Sequence, residues 1–355
     1  MAITAARAWT ASAEPFVGRL EAIARDFTRL TGTPVDVASE LFLRAELAGY
    51  RPPARTSANG SCHLLRAADG WAAVNLARPD DIAALPALYA LLGADAPETA
   101  APVAGLRTTA RESTAEQVAS AAQLLGIPAA SLGSVRDGAR AVCGARHGEP
   151  RVRELSGLRV VDLSALWAGP LCARLLGQAG AHVTKVESTT RPDGARRGSP
   201  AFYRHLHEGH ESRVVDFASG ALPAVVAEAD VVVEASRPRA LRRLGVLAED
   251  FLAARPGRLW ISITGYGRDD DRVAFGDDAA VAGGLAGRDA QGEPVFLGDA
   301  IADPVTGILA AHAAARALAE GGGQLVSVAM ANCAAALAGD RGADDQGADS
   351  RGGDD

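Results

Sequence analysis

Residues 157–188 read GLRVVDLSALWAGPLCARLLGQAGAHVTKVES, and this stretch decides the fold. LRVVDLS is a short run rich in valine, which suits a strand. AGPLCARLLGQAG has helical spacing, with Pro170 near its first turn and Gly180 at its end. AHVTKVE is then a second strand. Strand, helix and strand in about thirty residues form a β–α–β unit, which places the two strands parallel. The alternation continues downstream: SRVVDFA, helical ALPAVVAEA, strand DVVVEA, helical RALRRLGVL and EDFLAARP, and strand RLWISITGYG. Residues 303–319 predict a long helix, and QLVSVAM a last strand after the turn at Gly321–Gly323. The expectation is an α/β protein whose open parallel sheet carries helices on both faces, over residues 156–338.

Upstream, the pattern differs. PFVGRLEAIARDFTRLTG and VDVASELFLRAELAG read as two helices, each ending in glycine. The polar loop RPPARTSANGSC follows, then HLLRAADGWAAVNLA, two apolar runs around Ala-Asp-Gly that predict a hairpin. PDDIAALPALYALLG and TAEQVASAAQLLG read as helices capped by Asp80 or Asp81 and by Thr114. Residues 1–150 are thus expected to be a smaller α+β domain.

Composition excludes several classes. No run of about eighteen apolar residues is present, so a spanning helix is not expected. The start, MAITAARAWTASAEPF, lacks the charged and apolar regions of a secretion signal. Cys62, Cys143, Cys172 and Cys333 are widely spaced, which suggests neither a disulfide framework nor a zinc cage and fits a reducing cytoplasm. Of the net charge of −7, residues 339–355 hold six aspartates and two arginines; the rest of the chain is close to neutral. That balance supports neither nucleic-acid nor membrane-surface binding. The Gly/Asp-rich tail has almost nothing to bury and is expected to be disordered. Lys185, the single lysine, reads as a consequence of codon composition alone.

Ligands of open parallel sheets bind beyond the carboxyl ends of the strands. The loop Ala165-Leu166-Trp167-Ala168-Gly169-Pro170 lies there and opens a helix whose N-terminus favours anions. On its own it is an ordinary strand–helix turn. Arg191, Arg196 and Arg197, then Arg204, Arg213, Arg237, Arg239, Arg242 and Arg243, fall on successive loops. They suit phosphate binding as well as they suit a solvated surface. His205, His207 and His210 do not share one helical face and lack a metal motif, so they read as surface or loop histidines with no metal implied. Asp303 precedes Pro304 and reads by default as a helix N-cap; Asp277 and Asp278 read equally as caps or as site residues. A carboxylate held ionised at a helix N-terminus is also a possible nucleophile.

Together, four stretches resemble the family III CoA-transferases, the superfamily of formyl-CoA transferase, carnitine CoA-transferase and α-methylacyl-CoA racemase. They are residues 157–188 with RPDGARRG; SRVVDFASG with ADVVVEASRPRALRRLG; RLWISITGYG with AFGDDAAVAGG; and ADPVTGILAAHAAARAL with GGGQLVSVAM. The resemblance implies that Asp303, in a DxxxG pattern with Gly307, is the catalytic aspartate, with Asp299 the lesser candidate. It implies CoA contacts at Ala165, Leu166, Trp167 and Ala168, phosphate contacts at Arg191, Arg196 and Arg243, and an active-site loop at Ser57, Asn59 and Gly60. It further implies acyl-CoA and a small carboxylic acid as substrates, no tightly bound cofactor, and a homodimer.

The order departs from the family's usual one. Family chains begin near the strand at residue 158 and carry their small domain later, whereas here a segment resembling it comes first. At the contact where the family often has a lysine, His210 or a neighbour stands instead. The chemistry implied is attack by Asp303 on the acyl-CoA thioester, return of the thiolate, and transfer of CoA to the acceptor through anhydride and thioester intermediates. Two alternatives remain open at this level: an acyl-CoA racemase on the same scaffold, against which the lack of a histidine near Asp277 and Asp278 argues, and a non-catalytic CoA-binding protein.

Overall fold

The computed structural model describes residues 14–96, 102–135 and 138–339. All but the first residue of the acidic tail lies outside them. The chain opens with helices α1 (Glu14–Thr31) and α2 (Val37–Ala48). A small unit follows: strands β1 (Cys62–Arg66) and β2 (Trp71–Asn75), helices α3 (Pro79–Ala83), α4 (Leu85–Leu91), α5 (Pro102–Thr109) and α6 (Ala115–Leu124), and strand β3 (Ala129–Ser131). The larger unit runs β4 (Val142–Arg146), β5 (Arg159–Asp162), α7 (Ala168–Gln178), β6 (His182–Ser188), α8 (Pro200–His207), β7 (Glu211–Val215), α9 (Leu222–Ala227) and β8 (Val231–Glu234). It continues with α10 (Pro238–Arg243), α11 (Ala248–Ala254), β9 (Leu259–Thr264) and α12 (Gly276–Gly283). It closes with the short pair β10 (Gly287–Arg288) and β11 (Pro294–Val295), α13 (Ala302–Ala319), β12 (Gln324–Ala329) and α14 (Met330–Ala338).

Seven strands form the large sheet in the order β4-β12-β9-β8-β5-β6-β7. Every neighbouring pair is parallel except β4 with β12. The valine doublets follow from burial on both faces, since successive side chains of a strand point to opposite sides. Val160, Val183 and Val231 face one core, shared with α1, α2, α7, α13 and α14. Val161, Val186 and Val232 face another, under α9, α10 and α11. The expected first segment, 1–150, contributes to both units. Phe16, Leu20, Phe27 and Leu41 of α1 and α2 lie in the large sheet's core, and β4 extends that sheet. The predicted hairpin is present, Leu64 facing Ala73, and joins β3 in a three-stranded antiparallel sheet. One face of this sheet packs on α4, α5 and α6; the other meets Val281 of α12 and Phe296.

From β5 the chain proceeds outward to β6 and β7, then returns to the other side of β5 to form β8. The order reverses between β5 and β8, and the crevice beyond their carboxyl ends is the topological switch point where such sheets hold ligands. Helix α13 crosses α7 beside this crevice. A Cβ added at Gly307 would lie 2.8 Å from the carbonyl oxygen of Ala168 and 2.9 Å from Cβ of Leu171. The glycine of the DxxxG pattern is therefore what lets the two helices approach. Gly307→Ala should lower stability by about 1–3 kcal/mol through overpacking, read as a shifted urea midpoint. Gly18→Ala, whose Cβ would meet nothing within 4 Å in α1, should be neutral or stabilising. Equal effects of the two substitutions would remove the close-crossing explanation.

Candidate active site

A cavity of about 390 Å³ opens at the switch point, within the range of small-molecule sites. The large unit contributes Leu166, Gly194, Ala195, Arg197, Phe275, Asp277, Ala300 and Asp303; the small sheet and its loops contribute Asn59, Ser61, Asn75 and Arg78; α2 contributes Arg44. Leu166 and Ala300 are the two non-glycine residues with positive φ among the described residues, at 71° and 47°. Both line this cavity, and left-handed backbone at non-glycine positions is a strain that concentrates at functional sites.

Asp303 is the second residue of α13, not its N-cap: the helix begins at Ala302, with Ile301 in the cap position. Its half-buried carboxyl faces the backbone N–H groups of Gly276 and of Ala168, the first residues of α12 and α7. Two helix N-termini thus converge on one side chain, in addition to its own. A Cβ at Gly276 would stand 2.5 Å from Oδ2 of Asp303 and 2.2 Å from the carbonyl oxygen of Ala300, so only glycine fits there. Burial pushes the Asp303 carboxyl up to about 7; Arg44 and the two N–H groups pull it down, and Asp299 pushes it up.

Asp277 and Asp278 are also not N-caps. They lie in the first turn of α12 behind Phe275. Asp277 accepts from the Ala300 N–H at 2.9 Å, holding that strained residue in place. Asp278 accepts from the Phe275 N–H at 3.0 Å and from Nδ2 of Asn75 at 3.1 Å, linking the small sheet to the site. Burial raises Asp277 to about 7 and Asp278 to about 8. Asp299 is sealed inside and bound bidentately by Arg44, Nε to Oδ2 at 2.6 Å and Nη2 to Oδ1 at 2.7 Å. Arg44 also lies 5.0 Å from the Trp167 ring centroid and interacts with Asp303 and Asp277. This arginine escaped the sequence reading because nothing local distinguishes it from its neighbours in an arginine-rich chain.

Lys185 proves to be structural. It is buried, donates to the Ser164 carbonyl, and pairs with Asp193 at 3.1 Å and Asp162 at 3.5 Å. Asp193 in turn accepts from the Leu166 N–H at 2.9 Å. Asp162 accepts from the Ser164 hydroxyl and, at 2.9 Å, from the Ser164 N–H. The loop expected to hold CoA is therefore tethered at both ends to one ammonium group. Within it, Ala165 and Leu166 are exposed, whereas Trp167 and Ala168 are buried. A Cβ at Gly169 would collide with Ser164 at 2.2 Å, which explains the glycine in the turn.

The structure does not bring all the expected residues to the cavity. Leu166, Asn59 and Asp303 line it; Gly60 turns beside Asn59 with φ +83°. Asn59 Oδ1 accepts from Ser57 Oγ and Ser61 Oγ, each at 2.8 Å, fixing that loop. Arg196 is engaged elsewhere, bridging Glu187 and lying 4.4 Å from the Tyr203 ring centroid. Arg197, one residue on, lines the cavity instead, while exposed Arg191 and Arg243 do not. The histidines are not all at the surface: His205 pairs with Glu40 at 3.0 Å, and the His207 side chain is only 7% exposed. Asp81 sits in the first turn of α3 rather than capping it, accepting from the Arg78 N–H at 2.8 Å. Thr114 is the N-cap that was expected. Among the described residues no cluster of three His, Cys, Asp or Glu could hold a metal ion, and no helix is long and apolar enough to cross a membrane.

Replacing Lys185 by methionine leaves two buried carboxylates facing each other unpaired. The variant should lose about 3–5 kcal/mol of stability, measured by urea denaturation at neutral pH. Stability within 1 kcal/mol or so of the parent would show that the tether is dispensable.

Among known proteins, the chain is 29% identical over 209 residues to a succinate–glutarate CoA-transferase of Agrobacterium fabrum, covering 52% of each chain. It is 33% identical over 172 residues to the β subunit of a succinyl-CoA–L-malate CoA-transferase of Chloroflexus aurantiacus, covering 43% of this chain and 42% of that one. The chain thus spans about half the length of the curated relatives it matches. A CaiB/BaiF family protein from Brucella suis aligns with a TM-score of 0.46 at 28% identity, over 52% of this chain and 55% of that one. Residues 155–353 match CoA-transferase family III, more than half of the chain, and the chain belongs to that family.

Proposed function

We propose that the protein transfers CoA from an acyl-CoA to a carboxylate acceptor, with Asp303 as the nucleophile. The observation that carries this reading is the convergence of the α7 and α12 N-termini on the Asp303 carboxyl at the wall of a cavity. A carboxylate is a weak nucleophile, but it is a good one for a thioester if held ionised and shielded from water. Arg44 and the N–H groups of Gly276 and Ala168 favour the ionised form.

In the first step an oxygen of Asp303 attacks the thioester carbonyl; the C–S bond breaks, giving a mixed anhydride and CoA thiolate. The thiolate attacks the aspartyl carbonyl, releasing the donor acid and leaving an aspartyl thioester. The acceptor carboxylate attacks that thioester, forming a second anhydride and freeing the thiolate again. Thiolate attack on the acceptor's acyl carbon yields the new acyl-CoA and restores the Asp303 carboxylate. Each step conserves charge and needs no oxidant or metal.

The donor and acceptor follow by analogy. The relatives are described as acting on succinyl-CoA, glutarate and malate, so a dicarboxylate is the acceptor class to test first. Arg197, which lines the cavity, suits an anionic substrate. The N-terminal segment, through Arg44, Asn59 and Asn75, completes the site. A homodimer and a cytoplasmic location remain part of the same proposal.

Asp303→Asn should abolish exchange between succinyl-CoA and a panel of carboxylates, with circular dichroism and melting temperature near those of the parent. Hydroxylamine should trap an acyl adduct on Asp303 in the parent only. Full turnover by the variant would refute the assignment. Solvent deuterium uptake at the α-carbon without exchange would indicate racemase chemistry instead. Because burial raises the Asp303 carboxyl to about 7, the nucleophilic form is lost as pH falls. The kcat/KM profile should therefore rise with an apparent pKa near 7. A profile flat from pH 5.5 to 8 would contradict it.

A further inference from the structure

A second cavity, of about 410 Å³, lies at the opposite end of the large sheet, lined by Arg151, Arg153, Arg159, Arg255 and Arg258 around Asp230. Arg159 begins β5, Asp230 precedes β8 and Arg258 precedes β9, so these residues mark the amino ends of strands whose carboxyl ends face Asp303. We infer that this cavity is a second ligand site, for a phosphate oxyanion, either free or carried as the phosphoryl group of a small molecule.

Five guanidinium groups surround one carboxylate. Asp230 accepts from Arg153 Nη1 at 2.8 Å, and lies 3.7 Å from Arg159 and 3.8 Å from Arg255. One carboxylate cannot neutralise the group, and among the described residues no second acidic side chain lines the cavity. Planar guanidinium groups are suited to phosphate oxygens.

One of the five cations, Arg258, is built into the fold. Arg258 is only 4% exposed. Its Nη1 donates to the Phe251 carbonyl at 2.9 Å and its Nη2 to that of Ala227, while its buried Nε has no hydrogen-bond partner among the described residues. Burial, then the cations of Arg255 and Arg159, lower the Arg258 guanidinium to about 10, with Asp230 opposing. Isolated buried charges are costly unless paired. The backbone is fixed too: the Gly257 N–H donates to the Glu149 carbonyl at 2.9 Å, and the Arg151 N–H to the Gly321 carbonyl at 2.7 Å. A Cβ at Gly257 would stand 2.7 Å from the Arg151 carbonyl oxygen, so the two loops meet closely.

Calorimetric titration of the full chain with pyrophosphate and with AMP tests the site. Both Arg151 and Arg159 are exposed, so Arg151→Gln and Arg159→Gln should fold normally, as circular dichroism can verify. The parent should bind, more weakly as salt rises, and each variant should bind about tenfold or more weakly. Arg197→Gln, at the other cavity, should retain this binding. Binding of pyrophosphate alone would identify a free anion as the ligand, and binding of AMP as well a phosphoryl group on a larger molecule; either supports the site. Absence of saturable binding to the parent would overturn it, as would binding kept in Arg151→Gln and Arg159→Gln but lost in Arg197→Gln.

Discussion

The close crossing of α7 and α13 is the constraint on which the rest depends. Gly307 sits against the Ala168 carbonyl and Leu171, one turn along the helix from Asp303. With any larger residue the helices would separate, and the Asp303 carboxyl would no longer meet the Ala168 N–H. Gly276 performs the same service from the third side, bringing the start of α12 against Asp303 and Ala300. Two positions without a side chain thus fix the distance between a carboxylate and two helix ends, and the partial positive charge of those ends offsets part of the cost of burial.

Around that carboxylate the electrostatics are shared. Arg44 bridges Asp299 bidentately while also acting on Asp303 and Asp277. Three acidic groups therefore depend on one cation, and a buried carboxyl with less than a full counter-charge holds its proton to near-neutral pH. In a second network, Lys185 holds Asp162 and Asp193, which in turn fix Ser164 and Leu166. The two networks divide the work: one sets the state of Asp303, and the other sets the shape of the loop facing it.

Much of the fold was legible in the sequence because it rests on local patterns. Valine doublets signal strands buried on both faces, and Gly180 and Thr114 end or begin helices where the residues say they should. The hairpin at Ala-Asp-Gly was equally plain. The site was legible only in part. DxxxG and the AGP turn marked Asp303 and Ala168, whereas Arg44 and Lys185 required the fold to give them partners. Capping was the weakest inference. Asp81, Asp278 and Asp303 all lie within first turns rather than at caps, since an aspartate two or three positions inside a helix carries the same composition signal. Of the arginines in the loop after β6, Arg196 is engaged by Glu187 and Tyr203, and Arg197 lines the cavity.

The placement of α1 and α2 has a consequence for how the protein comes into being. These helices open the described part of the chain, yet they pack in a core with α13 and α14 near its other end. Arg19 reaches the Leu337 carbonyl across a separation of 318 residues, and Arg44 reaches Asp299 across 255. Such contacts close late and slow folding. During synthesis the apolar faces of α1 and α2 have no native partner until nearly the whole described chain is made, a period in which a chaperone or premature association competes for them. The core beneath the large sheet is therefore completed only when segments from both ends of the described chain are present together.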